Sequence, residues 1–106
     1  MKKPFNTMRL SESQRNIITE SVTEIFGPDV TVRLFGSRTD DAKKGGDIDL
    51  FVELPSVDPL KIKKSVRLSG KISRRLDDMI NVDVIVKDES TRISLIHQEG
   101  MKGIRL

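Results

Sequence analysis

A chain of 106 residues has room for one hydrophobic core, and 36% hydrophobic with 33% charged residues is the balance of an ordinary globular domain. The absence of cysteine excludes a disulfide framework, a thiolate nucleophile and a cysteine-bound zinc. A net charge of +3 suits an anionic partner, but four phenylalanines with no tyrosine or tryptophan leave little stacking surface for single-stranded nucleic acid.

The chain reads as a single domain over 1–106, with residues 1–10 expected to be flexible. Two lysines near the N-terminus have no apolar run behind them, so no signal peptide is expected. No segment is long and apolar enough for a transmembrane helix, and a cytoplasmic location is the expectation. Ser11 with Gln14 forms a capping box, and Ile18, Val22, Ile25 and Phe26 follow at helical spacing, which predicts a helix over 12–26 ended by Gly27-Pro28. Alternation through Val30, Val32 and Leu34 predicts a strand stopped at Gly36-Ser37. A short helical turn over 38–43 would be broken by Gly45-Gly46, and a second strand covers 47–54.

Asp58-Pro59 has the N-cap and first-turn proline of a helix start. Leu60, Ile62, Val66, Leu68, Ile72, Leu76 and Met79 then supply one broad apolar stripe to about residue 79. The same helix carries Lys61, Lys63, Lys64, Arg67, Lys71, Arg74 and Arg75. A solvated face is the simpler account of these cations, and a docking surface for an acidic partner or RNA the sharper one. "NVDVIVKD" is rich in β-branched residues and predicts a third strand. Ile93, Leu95 and Ile96 predict a helix over 90–99 with Gly100 as its C-cap, and "GIRL" is either a terminal strand or disordered. Strands alternating with helices imply an α/β (α+β) domain with a small mixed three- to four-stranded sheet and helices packed on it.

Gly36-Ser37, between a strand and a helical turn, offers close backbone approach and a hydroxyl donor to an anion, although a turn with a capping serine is the commoner role. Asp47 and Asp49 lie two apart on a strand and so share a face. Ile48, Leu50 and Val52 would face the core, while Asp47, Asp49 and Phe51 face an open side. Paired carboxylates suit a hard divalent cation that also binds substrate phosphates, and a solvated edge strand is the competing reading. Asp83 interrupts the aliphatic run Val82, Val84, Ile85 and Val86, where aspartate is a poor strand former. If the two strands are neighbours, Asp83 joins Asp47 and Asp49 beside a phosphate-binding turn, the layout of a two-metal phosphoryl-transfer site.

"LFGSR", then "GGDIDLFVEL", then "VDVIV" resembles the minimal nucleotidyltransferases of the DNA polymerase β superfamily. The resemblance covers about residues 12–100 and implies the polymerase-β-like nucleotidyltransferase fold. It implies that Gly36 and Ser37 hold a triphosphate, with Arg38 steadying it. Asp47 and Asp49 would ligate two Mg²⁺ ions, and Asp83 would complete the site and help activate the attacking hydroxyl. Nine residues separate Ser37 from Asp47, and Gly46 stands where a serine is frequent in the family. The implied reaction moves a nucleoside monophosphate, AMP from ATP, to a hydroxyl and releases pyrophosphate. Short relatives are often paired with a small helical HEPN-type protein, and several act as antitoxins that adenylylate a tyrosine of that partner. The resemblance therefore implies a hetero-oligomer as well.

His97, the single histidine, has apolar neighbours and reads as a packing or surface residue. No Gly-x-x-x-x-Gly-Lys-Ser/Thr run is present, so a P-loop NTPase is excluded. Two alternatives stand beside the enzyme: a catalytically silent subunit that binds nucleotide or a partner, and a basic RNA-binding module. Three acidic residues in this pattern disfavour the first, and sparse aromatics disfavour the second.

Overall fold

A computed structural model describes residues 10–36, 47–76 and 80–106, with only the backbone of Asp47. The predicted turn at 38–43, Met79 and the first nine residues lie outside this set. Helix α1 runs Glu12–Phe26 behind the predicted capping box: the Ser11 hydroxyl oxygen accepts the Gln14 N–H, and the Gln14 amide oxygen accepts the Ser11 N–H, both at 3.0 Å. It closes where the Gly27 N–H donates to the Thr23 carbonyl at 2.9 Å.

Strands β1 (Thr31–Phe35), β2 (Asp47–Glu53), β3 (Asn81–Lys87) and β4 (Ile104–Arg105) form one sheet in the order β3-β2-β1-β4. β1 is antiparallel to β2 and β4, whereas β2 and β3 are parallel and joined through helix α2 (Lys61–Leu76). A parallel pair requires such a crossover, since no tight turn can connect it. The sheet is thus mixed, and the α/β expectation holds with four strands. "GIRL" supplies the fourth. No helix among the described residues is long and apolar enough to cross a membrane.

The period of two along the strands sorts side chains into two faces. Val32, Leu34, Ile48, Leu50, Val52, Val82 and Val86 pack with Ile18 and Val22 of α1 and with Leu68 and Ile72 of α2. Each such aliphatic side chain contributes about 1.5–3 kcal/mol when fully removed from water. Leu10, expected in a flexible segment, is buried in this core. Ser69 and Ser73 of α2 donate hydroxyls to the Val82 and Ile80 carbonyls, tying the helix to the start of β3.

The single apolar stripe predicted along α2 divides. Leu68 and Ile72 are buried and Leu76 packs against the core, but Leu60, Ile62 and Val66 are exposed. One helix face cannot hold all of them: with 100° per residue, Ile62 and Val66 point well away from Leu68 and Ile72. Asp58 does act at the predicted start, accepting the Leu60 N–H on Oδ1 at 2.9 Å, although helical hydrogen bonding begins at Lys61. Four of the helix's cations are tied down internally: Lys61 to Asp88, Lys64 to Asp58, and both Lys71 and Arg75 to Glu24. Lys63, Arg67 and Arg74 are exposed on the outer face.

The second sheet face is not open, as the sequence pattern suggested. Helix α3 (Leu95–Met101) crosses it and contacts β1, β2 and β3. Phe51 is 0% exposed beneath this helix. The His97 ring meets Phe51 edge-on with centroids 6.3 Å apart, so this histidine packs as expected. Gly100 lies within α3 rather than capping it, and the cap is Lys102. Its lack of a side chain serves packing: a Cβ there would fall 2.6 Å from Phe51 Cγ.

Candidate active site

Strand register brings two of the predicted residues, Asp49 and Asp83, together. Asp49 and Asp83 are direct partners across the parallel β2–β3 pair, and Asp47 partners Asn81. Neighbouring strands lie about 4.8 Å apart, so the Asp49 and Asp83 side chains leave the same face within reach of one ion. On the other side of β2, Asp49 partners Phe35, the last residue of β1. Gly36 follows with φ +78°, a left-handed conformation that glycine adopts without strain. A Cβ on Gly36 would lie 3.0 Å from Asp49 Cγ and overlap the carboxylate itself. The Asp49 carboxylate therefore rests against the Gly36 backbone.

These strand positions open onto a cleft of about 480 Å³. Asp49, Asp83 and Gly36 line its sheet side, and Ile96 and Glu99 line it from α3. Ile85 extends the apolar wall along β3. Asp83 is exposed and Asp49 half-buried, so solvent reaches the acidic pair. Two carboxylates opposite one another in a sheet repel, and a bound cation removes that repulsion.

The oxygen donor set fits a hard divalent cation. Among the described residues no three Asp, Glu, His or Cys side chains lie close enough to hold a metal by themselves. Asp47 begins β2 two positions before Asp49, and its side chain is outside the description, as are Ser37 and Arg38. Glu99 and Ile96 were not legible as cleft residues: both belong to a short apolar helix whose path across the sheet no local pattern announces. Ile93, Leu95 and Ile96 point to a helix in this part of the chain and to no more than that.

Another carboxylate is buried at the far end of β3. Asp88 is 0% exposed and accepts hydrogen bonds from the Ser90 hydroxyl at 2.6 Å, the Ser90 N–H at 2.8 Å and the Asp58 N–H at 2.9 Å. Lys61 Nζ adds a charged donor at 3.1 Å. The Ser90 hydroxyl first, then the Asp58 N–H and Lys61, hold this carboxyl well below the usual carboxylate range despite its burial. Its donors join the β2–α2 connection to the segment after β3, so its role is to fix the chain rather than to react.

The model of the nucleotidyltransferase domain family matches residues 15–102, a span that includes most of α1, every candidate site residue and α3. No match was found among curated proteins. With the acidic pair in register, the glycine turn against it and a family match over most of its length, this chain belongs to the nucleotidyltransferase domain family.

Proposed function

We propose that the protein transfers AMP from ATP to a tyrosine hydroxyl of a small helical HEPN-type partner, as the antitoxin of a toxin–antitoxin pair. Family membership supplies the general chemistry, nucleotidyl transfer from a nucleoside triphosphate with a divalent metal. The observation that carries the reading is the Asp49–Asp83 partnership on adjacent strands beside Gly36. The narrower choice of acceptor follows from the resemblance to short antitoxin members, and a cleft lined by exposed Asp83 of the edge strand β3 is compatible with it.

In this mechanism Asp47, Asp49 and Asp83 would hold two Mg²⁺ ions, which would offset triphosphate charge and lower the pKa of the attacking hydroxyl. Gly36 and Ser37 present backbone and hydroxyl donors to the phosphates, and Arg38 steadies them. The acceptor oxygen forms a bond to the α-phosphorus as the α–β bridging P–O bond breaks. The bond's electron pair leaves on pyrophosphate, and the hydroxyl proton passes to the Asp83 carboxylate and on to water. Asp49, set against Gly36 and between its two neighbouring strands, would hold its carboxylate at a fixed place for the cation that the α-phosphate shares.

Labelled ATP with Mg²⁺, incubated with and without the neighbouring gene product, tests this. Label should appear on the partner, and Asp49→Asn should lower transfer about a hundredfold or more. Equal labelling by wild type and Asp49→Asn rejects the mechanism. Partner binding without transfer in either form points to the silent subunit.

A further inference from the structure

We infer that Lys102 binds the terminal phosphates of the nucleoside triphosphate, in a side cleft entered from the acidic cleft across Gly36. This rests on the nucleotidyl-transfer reading and adds a polyphosphate-binding residue to it. A smaller cleft of about 190 Å³ adjoins the first, lined by Lys102, Gly103 and Ile104 together with Phe35, Gly36 and Glu99. Phe35, Gly36 and Glu99 line both. The two spaces therefore adjoin over the end of β1.

Sheet order gives this passage a direction. Asp83 is on β3, Asp49 on β2, Gly36 at the end of β1, and Lys102 with Gly103 immediately before β4, which is the spatial order of the strands. Charge therefore runs from carboxylates at one side of the sheet, across bare glycine backbone, to an ammonium at the other. In-line displacement puts the leaving pyrophosphate opposite the acceptor. An acceptor arriving beside exposed Asp83 on the edge strand β3 thus sends the pyrophosphate over Gly36 towards Lys102. The floor there is backbone: a Cβ on Gly103 would lie 3.0 Å from the Leu34 carbonyl carbon and from Phe35 Cβ.

Lys102 is the only cation among the described residues lining either cleft. Its Nζ reaches Glu99 Oε2 at 3.8 Å, with the two side chains 76% and 67% exposed. Such a long, solvated pair is worth little, so the ammonium can exchange Glu99 for a phosphate at small cost. Glu99, facing both clefts, competes for Lys102 and repels the same phosphates. The two residues therefore have opposite effects on nucleotide affinity.

Isothermal titration of ATP and of AMP, each with Mg²⁺, into the full chain tests the assignment. Lys102→Ala should weaken ATP about fivefold, the upper range for one exposed charge pair, and leave AMP unchanged. Lys102→Arg should retain ATP affinity, and Glu99→Gln should tighten it. A merely structural lysine would alter both ligands alike, so equal losses for ATP and AMP overturn the proposal. Unchanged ATP affinity in Lys102→Ala, with binding still dependent on Asp49, overturns it while leaving the nucleotidyl-transfer reading intact. Wild-type protein that binds no ATP overturns both.

Discussion

Asp49 and Asp83 hold the same register position on two parallel strands, so two negative charges face one another across the β2–β3 ladder. Directly opposed like charges destabilise a sheet, by about 0.2–1 kcal/mol. The pair is thus a local cost in the metal-free protein and an asset once a cation binds. Replacing Asp83 by Asn removes the repulsion and keeps the shape. Thermal unfolding in EDTA should show Asp83→Asn about 2–4 °C above wild type, the shift that about 0.5 kcal/mol produces in a chain of this size. Adding millimolar Mg²⁺ should raise the wild-type midpoint and not the variant's. An equal response of both proteins to Mg²⁺ would show that Asp83 is no ligand.

Gly36 and Gly70 are glycines of opposite kinds. Gly36 has φ +78° and no space for a Cβ beside the Asp49 carboxylate. Gly36→Ala should cost about 1–2 kcal/mol from the left-handed backbone and displace Asp49, so that nucleotidyl transfer falls with stability. Gly70 lies within α2, where an added Cβ meets only the end of the Arg74 side chain at 3.2 Å. A flexible guanidinium yields easily, and Gly70→Ala should stabilise by about 0.5–1 kcal/mol with activity unchanged. Urea denaturation of the two variants should move the midpoint in opposite directions, and a shared direction would contradict the distinction.

Much of this layout is local in origin, which is why it could be read from residue order. The Ser11–Gln14 capping box and the alternation Ile48, Leu50, Val52 against Asp49 and Phe51 involve neighbours within a few positions. Asp83 drew notice because a carboxylate inside an aliphatic strand needs a reason, and its reason is a place at the sheet edge facing the cleft. Other features depend on contacts far apart in the chain. Which α2 aliphatics reach the core is decided by where α1 and β3 lie against it, and Ile62 and Val66 look no different from Leu68 until those positions are known. Asp88 is silent in the sequence because its donors come from Asp58, Lys61 and Ser90. The cover that α3 lays over Phe51 hinges on one glycine whose neighbour lies far away in the chain, so Gly100 resembles an ordinary helix end in the sequence.

Acid should weaken the fold through Asp88. Its carboxyl titrates below its unfolded value because the Ser90 hydroxyl, the Asp58 N–H and Lys61 stabilise the charged form. Glu24, bonded to Lys71 and Arg75, and Asp58, bonded to Lys64 and the Leu60 N–H, are lowered as well. Between the folded and unfolded values the unfolded chain binds more protons, so stability rises with pH through that window. The stabilisation is fully present above the unfolded aspartate value of about 3.9 and is lost as pH falls through the lower folded value. Urea midpoints at pH 7, 4 and 2.5 should fall steeply for wild type. Asp88→Asn should be less stable at pH 7, and the gap between the two should narrow with acid. A gap independent of pH would mean that the charge on Asp88 contributes nothing.

Gly100→Ala tests whether α3 is a structural part of the active cleft. The added methyl group would collide with the Phe51 ring, which is fully buried and cannot turn aside. Overpacking of this kind costs about 1–3 kcal/mol and is relieved by the more weakly held element moving. That element is α3, seven residues long, with Leu95 and Met101 exposed to solvent. Since Ile96 and Glu99 line the cleft from this helix, lifting it widens the space above Asp49 and Asp83. Hydrogen exchange should quicken across 95–101 while α1 and α2 keep their protection, and the KM for ATP should rise more than kcat falls. Replacing Phe51 by Leu in the same chain makes room for the methyl group and should restore much of the affinity. If Gly100→Ala leaves exchange in α3 unchanged, the helix is not seated on Phe51 in solution.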